Sequence, residues 1–297
     1  MVNKEVKHEE GFLKIRGIKI FYERFGKGNR HRLIALHGGP GASHDYLLSL
    51  SDLASLDFDI VFYDQFGCGR SDYPKSESDY SLEYAVEEVE GVRMATFGNQ
   101  KIHLFGNSWG GMLSLAYAIK YQENLITLIS SSGLSNVPET AKEMHRLISQ
   151  LPEKYKNAIE EHERKGDFDN PEYVEASEYF MKQHLLRIDE YPEDVMRSLQ
   201  MMNDRGTYLK MNGPSEFTIN GLIKNINFDS DLKRITVPTM ITCGKYDEVT
   251  PKIAESIHGE IKGSVLKMFN ESSHMAFWEE RRSYIGYISD FMKSHDR

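Results

Sequence analysis

The sequence predicts an α/β protein: a mostly parallel β-sheet flanked by helices and interrupted by an inserted all-helical segment. Three observations predict it. Short apolar runs without polar alternation recur along the first 135 residues, which suits strands buried on both faces. Longer stretches of helical character separate them, and strand–helix–strand order implies βαβ units. Between about residue 136 and residue 231 strand-like runs disappear, and they resume after it.

Residues 12–16 and 18–23 read as a hairpin around Gly17. HRLIALHG at 31–38 is a continuous apolar run that ends in glycine, and DIVFYDQFG at 59–67 and KIHLFG at 101–106 repeat the pattern. Residues 82–98 and 110–122 read as helices, and LITLISSSG at 125–133 as another buried strand. Four segments then begin with Pro-Glu, at Pro138, Pro152, Pro171 and Pro192. Proline suits the first helical position, where its missing N–H costs nothing, and glutamate in the first turn suits the helix dipole. About four helices are therefore expected. The α/β pattern returns with TVPTMITCGKYD at 236–247 and GSVLKMFN at 263–270. The expected organisation is core residues 1–135, a helical cap over 136–231, and core residues 232–297.

Composition narrows the function. The chain has 297 residues, 40% of them hydrophobic and 11% aromatic, and this excludes intrinsic disorder. A net charge of −9 disfavours general binding to nucleic acid or anionic lipid. Residues 136–231 hold 12 Lys and Arg against 19 Asp and Glu, so most of that charge lies in the helical segment. It reads as a solvated surface or as a negative field that draws cationic substrates. Cys68 and Cys243, far apart, give neither a disulfide framework nor a zinc module. No apolar run approaches the length of a membrane span and no signal-peptide pattern opens the chain, so the expected location is the cytoplasm.

Gly106-Asn107-Ser108-Trp109-Gly110 is G-x-S-x-G between a strand and a helix, the context of a nucleophile elbow. A serine hydroxyl is a weak nucleophile and needs a base. The triad order Ser, then acid, then His selects Asp247 and His274, each just after a predicted strand. His258, in a predicted helix, and Asp229 and Asp231, at the end of the helical segment, are the rivals. His37-Gly38-Gly39-Pro40-Gly41 follows the strand HRLIAL, and backbone N–H groups of Gly39 and Trp109 are the expected oxyanion hole. Asp64-Gln65-Phe66-Gly67-Cys68-Gly69-Arg70-Ser71 reads as a structural turn, since it carries neither a dinucleotide fingerprint nor a P-loop lysine. No cofactor and no metal is expected.

These motifs together resemble the proline iminopeptidase family of α/β-hydrolases. H-G-G-P-G at 37–41, D-Q-F-G-C-G-R-S at 64–71, G-N-S-W-G-G at 106–111 and G-x-x-D at 244–247 carry the resemblance, which spans nearly the whole chain. M-N-G-P-S-E-F at 211–217 and Y-D-E-V-T-P at 246–251 look like a subgroup typified by the archaeal tricorn-interacting aminopeptidase factor. The resemblance implies release of N-terminal residues, proline and other mainly apolar ones, from short peptides with a free N-terminus. It also implies the tricorn protease as a partner, and Glu216 and Glu248 as the groups that bind the substrate's α-amino group. The competing expectations are a carboxylester hydrolase of the same fold and a non-catalytic, receptor-like member.

Overall fold

The computed structural model describes residues 6–296. Eight strands form one sheet: β1 (His8–Ile15), β2 (Ile18–Phe25), β3 (His31–Leu36), β4 (Phe58–Tyr63), β5 (Ile102–Asn107), β6 (Leu125–Ser131), β7 (Thr239–Gly244) and β8 (Val265–Phe269). Their order is β1-β2-β4-β3-β5-β6-β7-β8. β1 and β2 pair antiparallel, as do β2 and β4, and every later pair is parallel. β3, β4, β5 and β7 are buried along their whole lengths apart from Arg32, which explains why their sequences read as unbroken apolar runs.

Alternate residues feed two cores. Ile34 and Leu36 pack with α1 (Leu82–Phe97) and α2 (Trp109–Tyr121) on one face, while Leu33 and Ala35 face the opposite core. That second core takes a 13-residue 3₁₀ segment at His44–Leu56, for which the sequence reading named no element.

Between β6 and β7 run α3 (Val137–Ser149), α4 (Glu153–Lys165), α5 (Pro171–His184), α6 (Glu193–Arg205) and the short α7 (Thr207–Met211). Pro171 opens α5 and Pro138 lies in the first turn of α3, but Pro152 and Pro192 are N-cap residues. The fifth helix, α7, begins after Gly206 in the left-handed conformation that ends α6. Met144, Ile148, Ile159, Ala176 and Phe180 form an apolar cluster of their own within this segment. After β7 come α8 (Pro251–Glu260), α9 (Ala276–Glu279) and α10 (Arg281–His295), and α10 buries Tyr284, Ile288 and Met292 in the second core.

A buried charge cluster anchors the turn after β4. His44 Nδ1 lies 2.7 Å from Asp64 Oδ1 and its Nε2 lies 2.8 Å from Glu23 Oε2. Arg70 pairs with both Asp45 and Asp64. Burial alone would lower His44, but the Asp64, Glu23 and Asp45 carboxylates outweigh it and push the imidazole up to about 9. A histidine near 6.5 when unfolded thus contributes stability that is complete below about pH 6.5 and lost as pH rises through about 9. Between these limits, denaturant-measured stability of the wild type should fall by roughly 3 kcal/mol more than that of His44→Gln, at about 1.36 kcal/mol per pKa unit. Parallel pH profiles for the two proteins would rule out a buried imidazolium.

Candidate active site

Ser108 sits between β5 and α2 with φ 59° and ψ −122°, a conformation that a side chain rarely adopts. Glycines on both sides make the turn possible. A Cβ on Gly106 would lie 1.9 Å from the Gly110 carbonyl oxygen, and one on Gly110 would lie 2.2 Å from the Leu36 carbonyl oxygen. Ser108 N–H donates to the Ser131 carbonyl, which fixes the turn against β6. Trp109 begins α2, so its backbone N–H has no intrahelical partner and the positive end of the helix faces the serine.

The loop after β3 approaches the same point. Gly38 N–H donates to the Tyr46 hydroxyl at 2.7 Å, and that hydroxyl donates to Asn107 Oδ1 at 2.7 Å. Among the described residues no protein acceptor meets Gly39 N–H, so this donor is open to a ligand. Burial pushes His37 down to about 4, so its ring is neutral. Its Nδ1 donates to Gly38 O at 2.9 Å, and its Nε2 accepts from Gln65 N–H at 2.9 Å. The Gln65 side chain donates to His37 O at 2.7 Å and accepts from the Trp109 indole at 2.8 Å. The turn at 64–71 therefore splints the two segments that carry Gly39 and Trp109.

Asp247 is buried at the end of the β7 turn, where its Oδ1 accepts from Val249 N–H at 2.9 Å and lies 2.7 Å from His274 Nδ1. The His274 carbonyl accepts from Asn107 Nδ2 and Ser132 Oγ. Its N–H donates to the carbonyl of His184, the last residue of α5, and Glu248 N–H donates to that same carbonyl. One carbonyl from the helical segment thus holds both the His274 and the Glu248 loops. The rivals lie elsewhere: His258, on α8, bonds Ser264, and Asp229 accepts from Ser135 and Asn136. Asp231 pairs with Arg234.

Two small cavities meet at Ser108, Gly39, Glu216 and Glu248. One, of about 60 Å³, adds His274, Met275, Val195, Leu199 and Met202. The other, of about 40 Å³, adds Trp109, Met112, Val137, Ile219 and Val249. Glu248 Oε1 is 3.8 Å from His274 Nε2, and Glu248 Oε2 is buried without a hydrogen-bond partner among the described residues. Burial pushes Glu248 up to about 8, and Glu216 and Asp247 add to this against the pull of His274. Burial raises Glu216 too, opposed by Tyr208 and His274. Burial would lower His274, but Asp247 first, then Glu248 and Glu216, push it up to about 9. Among the described residues three groups of His, Asp and Glu lie close enough together for a metal ion, around His31, His8 and His44, and none includes a residue of these cavities.

Similarity to known proteins agrees with this construction. Residues 32–281 match the family described as alpha/beta hydrolase fold. The chain is 54% identical to a proline iminopeptidase of Saccharolobus solfataricus, over 96% of this chain and 92% of that one. It is 49% identical to a proline iminopeptidase of Thermoplasma volcanium, over 97% of each. The chain belongs to the proline iminopeptidase family. The crystal structure of the Mycobacterium smegmatis proline iminopeptidase superposes with a TM-score of 0.90 at 27% identity, covering 97% of this chain and 99% of that one. For this family member, Gln65, Tyr46 and His184 are the site-supporting residues that sequence reading missed. The D-Q-F-G motif was the available signal for Gln65; Tyr46 and His184 stand in no motif.

Two outcomes follow from the geometry. Gln65→Leu strips the Trp109 indole and the His37 carbonyl of their partners, at about 1–3 kcal/mol for each buried orphan, so a lower melting temperature is expected by calorimetry. Glu248→Gln removes a carboxylate beside His274, so the imidazole should titrate roughly one unit or more lower by NMR. An unchanged His274 titration would mean that Glu248 is neutral throughout.

Proposed function

We infer that this chain is a serine aminopeptidase that releases N-terminal residues, proline and other mainly apolar ones, from short peptides through an acyl-enzyme. The observation that carries this reading beyond simple ester hydrolysis is the pair Glu216 and Glu248 on the cavity walls beside Ser108, with Glu248 Oε2 buried and unpartnered. Two carboxylates in one site repel and hold protons. A substrate α-ammonium, with a pKa near ~7.7–8.0, replaces those protons with a fixed positive charge. The N-terminal proline nitrogen carries two N–H bonds when protonated, one for each carboxylate. Peptides blocked at the N-terminus lack that cation.

Ser108 Oγ attacks the carbonyl of the first residue and passes its proton to His274 Nε2, while Asp247 holds Nδ1–H and stabilises the imidazolium. Backbone N–H groups of Gly39 and Trp109 receive the oxyanion. The imidazolium then protonates the leaving nitrogen, and water repeats the sequence on the acyl-enzyme. His274 lines only the 60 Å³ cavity, so the leaving peptide lies there and the aminoacyl group lies in the 40 Å³ cavity beside Trp109.

Residues 136–231 act in this reading as the cap, because α6 lines the 60 Å³ cavity, α3 the 40 Å³ cavity and the 212–223 segment both, so that only chain ends are admitted. No helix among the described residues is long and apolar enough to cross a membrane. We place the enzyme in the cytoplasm, downstream of a tricorn-type protease, on the motif resemblance at 211–217 and 246–251.

Ser108→Ala should fold normally and lose hydrolysis of every substrate. Glu216→Gln and Glu248→Gln should lose about 10–100-fold in kcat/KM on prolyl amide, one charge-assisted hydrogen bond each, yet hydrolyse nitrophenyl acetate nearly as wild type does. Acetylated prolyl amide should be poor for all variants. Equal wild-type rates on free and acetylated amides would favour the esterase reading instead.

A further inference from the structure

On the aminopeptidase reading the peptide leaves first, past His274, and the released amino acid is then left in the 40 Å³ cavity. A much larger cleft of about 550 Å³ lies outside, between α1, α2 and the 222–231 segment. Among the described residues Ile223 is the one side chain that lines both spaces. The two are built on the same elements. Met112 of α2 faces the inner cavity, and Ala116, Ile119 and Lys120, at i+4, i+7 and i+8 on the same helix face, line the cleft. Ile219 faces the inner cavity, while Ile226 and Phe228 face the cleft. The inner cavity thus runs along one helix face toward the cleft, with Ile223 between them.

Ile223 is buried but stands on a stretch with neither helix nor strand. Its backbone is held at two points: its N–H donates to Met211 O at 3.0 Å, and its carbonyl accepts from Ile226 N–H at 2.9 Å. Rotation of its side chain breaks neither bond. The cleft volume falls within the range of small-molecule sites, about 300–1,000 Å³. Its floor is apolar, with Val86, Ala116, Ile119 and Phe228, and its rim carries Glu83 and two ion pairs, Lys120–Glu87 and Arg234–Asp231. Such a surface suits a zwitterion with an apolar side chain.

We propose that the cleft receives the free amino acid released from Ser108, with Ile223 as the door between the two spaces. This rests on the aminopeptidase reading, and the experiment separates the two. Asn225 and Glu83 are exposed on the cleft walls, with no side-chain hydrogen bond among the described residues, whereas Cys68 and Cys243 are buried. Asn225→Cys and Glu83→Cys therefore offer one accessible thiol each. Each variant is modified with benzyl methanethiosulfonate, or with its small methyl analogue as control, and assayed on prolyl nitroanilide by stopped flow. The benzyl adduct should lower kcat by about tenfold or more, as expected when product release becomes limiting. A first-turnover burst of nitroaniline should remain, because acylation uses the other cavity, and thiol reductant should restore kcat. The methyl adduct should have little effect. Unchanged kcat in both benzyl adducts would show that the amino acid leaves by the peptide's route, and would overturn the proposal. A lost burst would place the cleft in acylation and overturn it equally. No turnover of prolyl nitroanilide by wild type would sink the aminopeptidase reading itself.

Discussion

The site depends on one steric constraint, the crossing of the Ser108 turn over the end of β3. Gly106, Gly110 and the Leu36 carbonyl approach so closely that no Cβ fits at either glycine. This contact sets Ser108 and the Gly39 loop side by side, and with them the positive end of α2. What keeps the crossing in register is polar. Gln65 ties Trp109 to His37, and Tyr46 ties Gly38 to Asn107. All these groups are buried, so each lost partner leaves an expensive orphan, and the network behaves as a unit.

Electrostatics is layered in the same way. Below the Gly39 loop, His44 is a buried cation satisfied by Asp64 and Glu23, and with Asp45, Arg70 and Arg197 the cluster holds three charges of each sign. Above Ser108 the balance is deliberately left short of cations. Asp247, Glu248 and Glu216 gather around His274, and the deficit is met by protons when the site is empty. A positively charged chain end meets it better than a neutral ligand does.

The helical segment contributes chemistry as well as cover. The His184 carbonyl at the end of α5 holds the His274 and Glu248 loops, and Glu216 projects from the stretch after α7. Ser198 of α6 exchanges two hydrogen bonds with Ser43, and Arg197 pairs with Asp45, both just after the Gly39 loop. Movement of this segment therefore shifts both the carboxylates and the loop that presents Gly39.

The strands, the Ser108 turn and the choice of Asp247 and His274 as candidates were legible in the sequence, because each is a local property: an apolar run, a glycine-bounded turn, a residue just past a strand. The Pro-Glu starts marked the four long helices for the same reason. Residues 44–56 were not legible, since a 3₁₀ segment packed on the sheet has no periodic signature of its own. Glu216 was legible only through its motif, because a lone glutamate in a loop usually faces water. Tyr46 and His184 could not be found at all. Their roles rest on a hydroxyl and a backbone carbonyl brought to the site by chain segments far away in sequence. The sequence by itself determined the strands, the long helices and the candidates for the reactive residues. The tertiary structure alone decided which buried donors and acceptors meet, because that depends on three-dimensional packing and on the high cost of leaving any one of them unpaired.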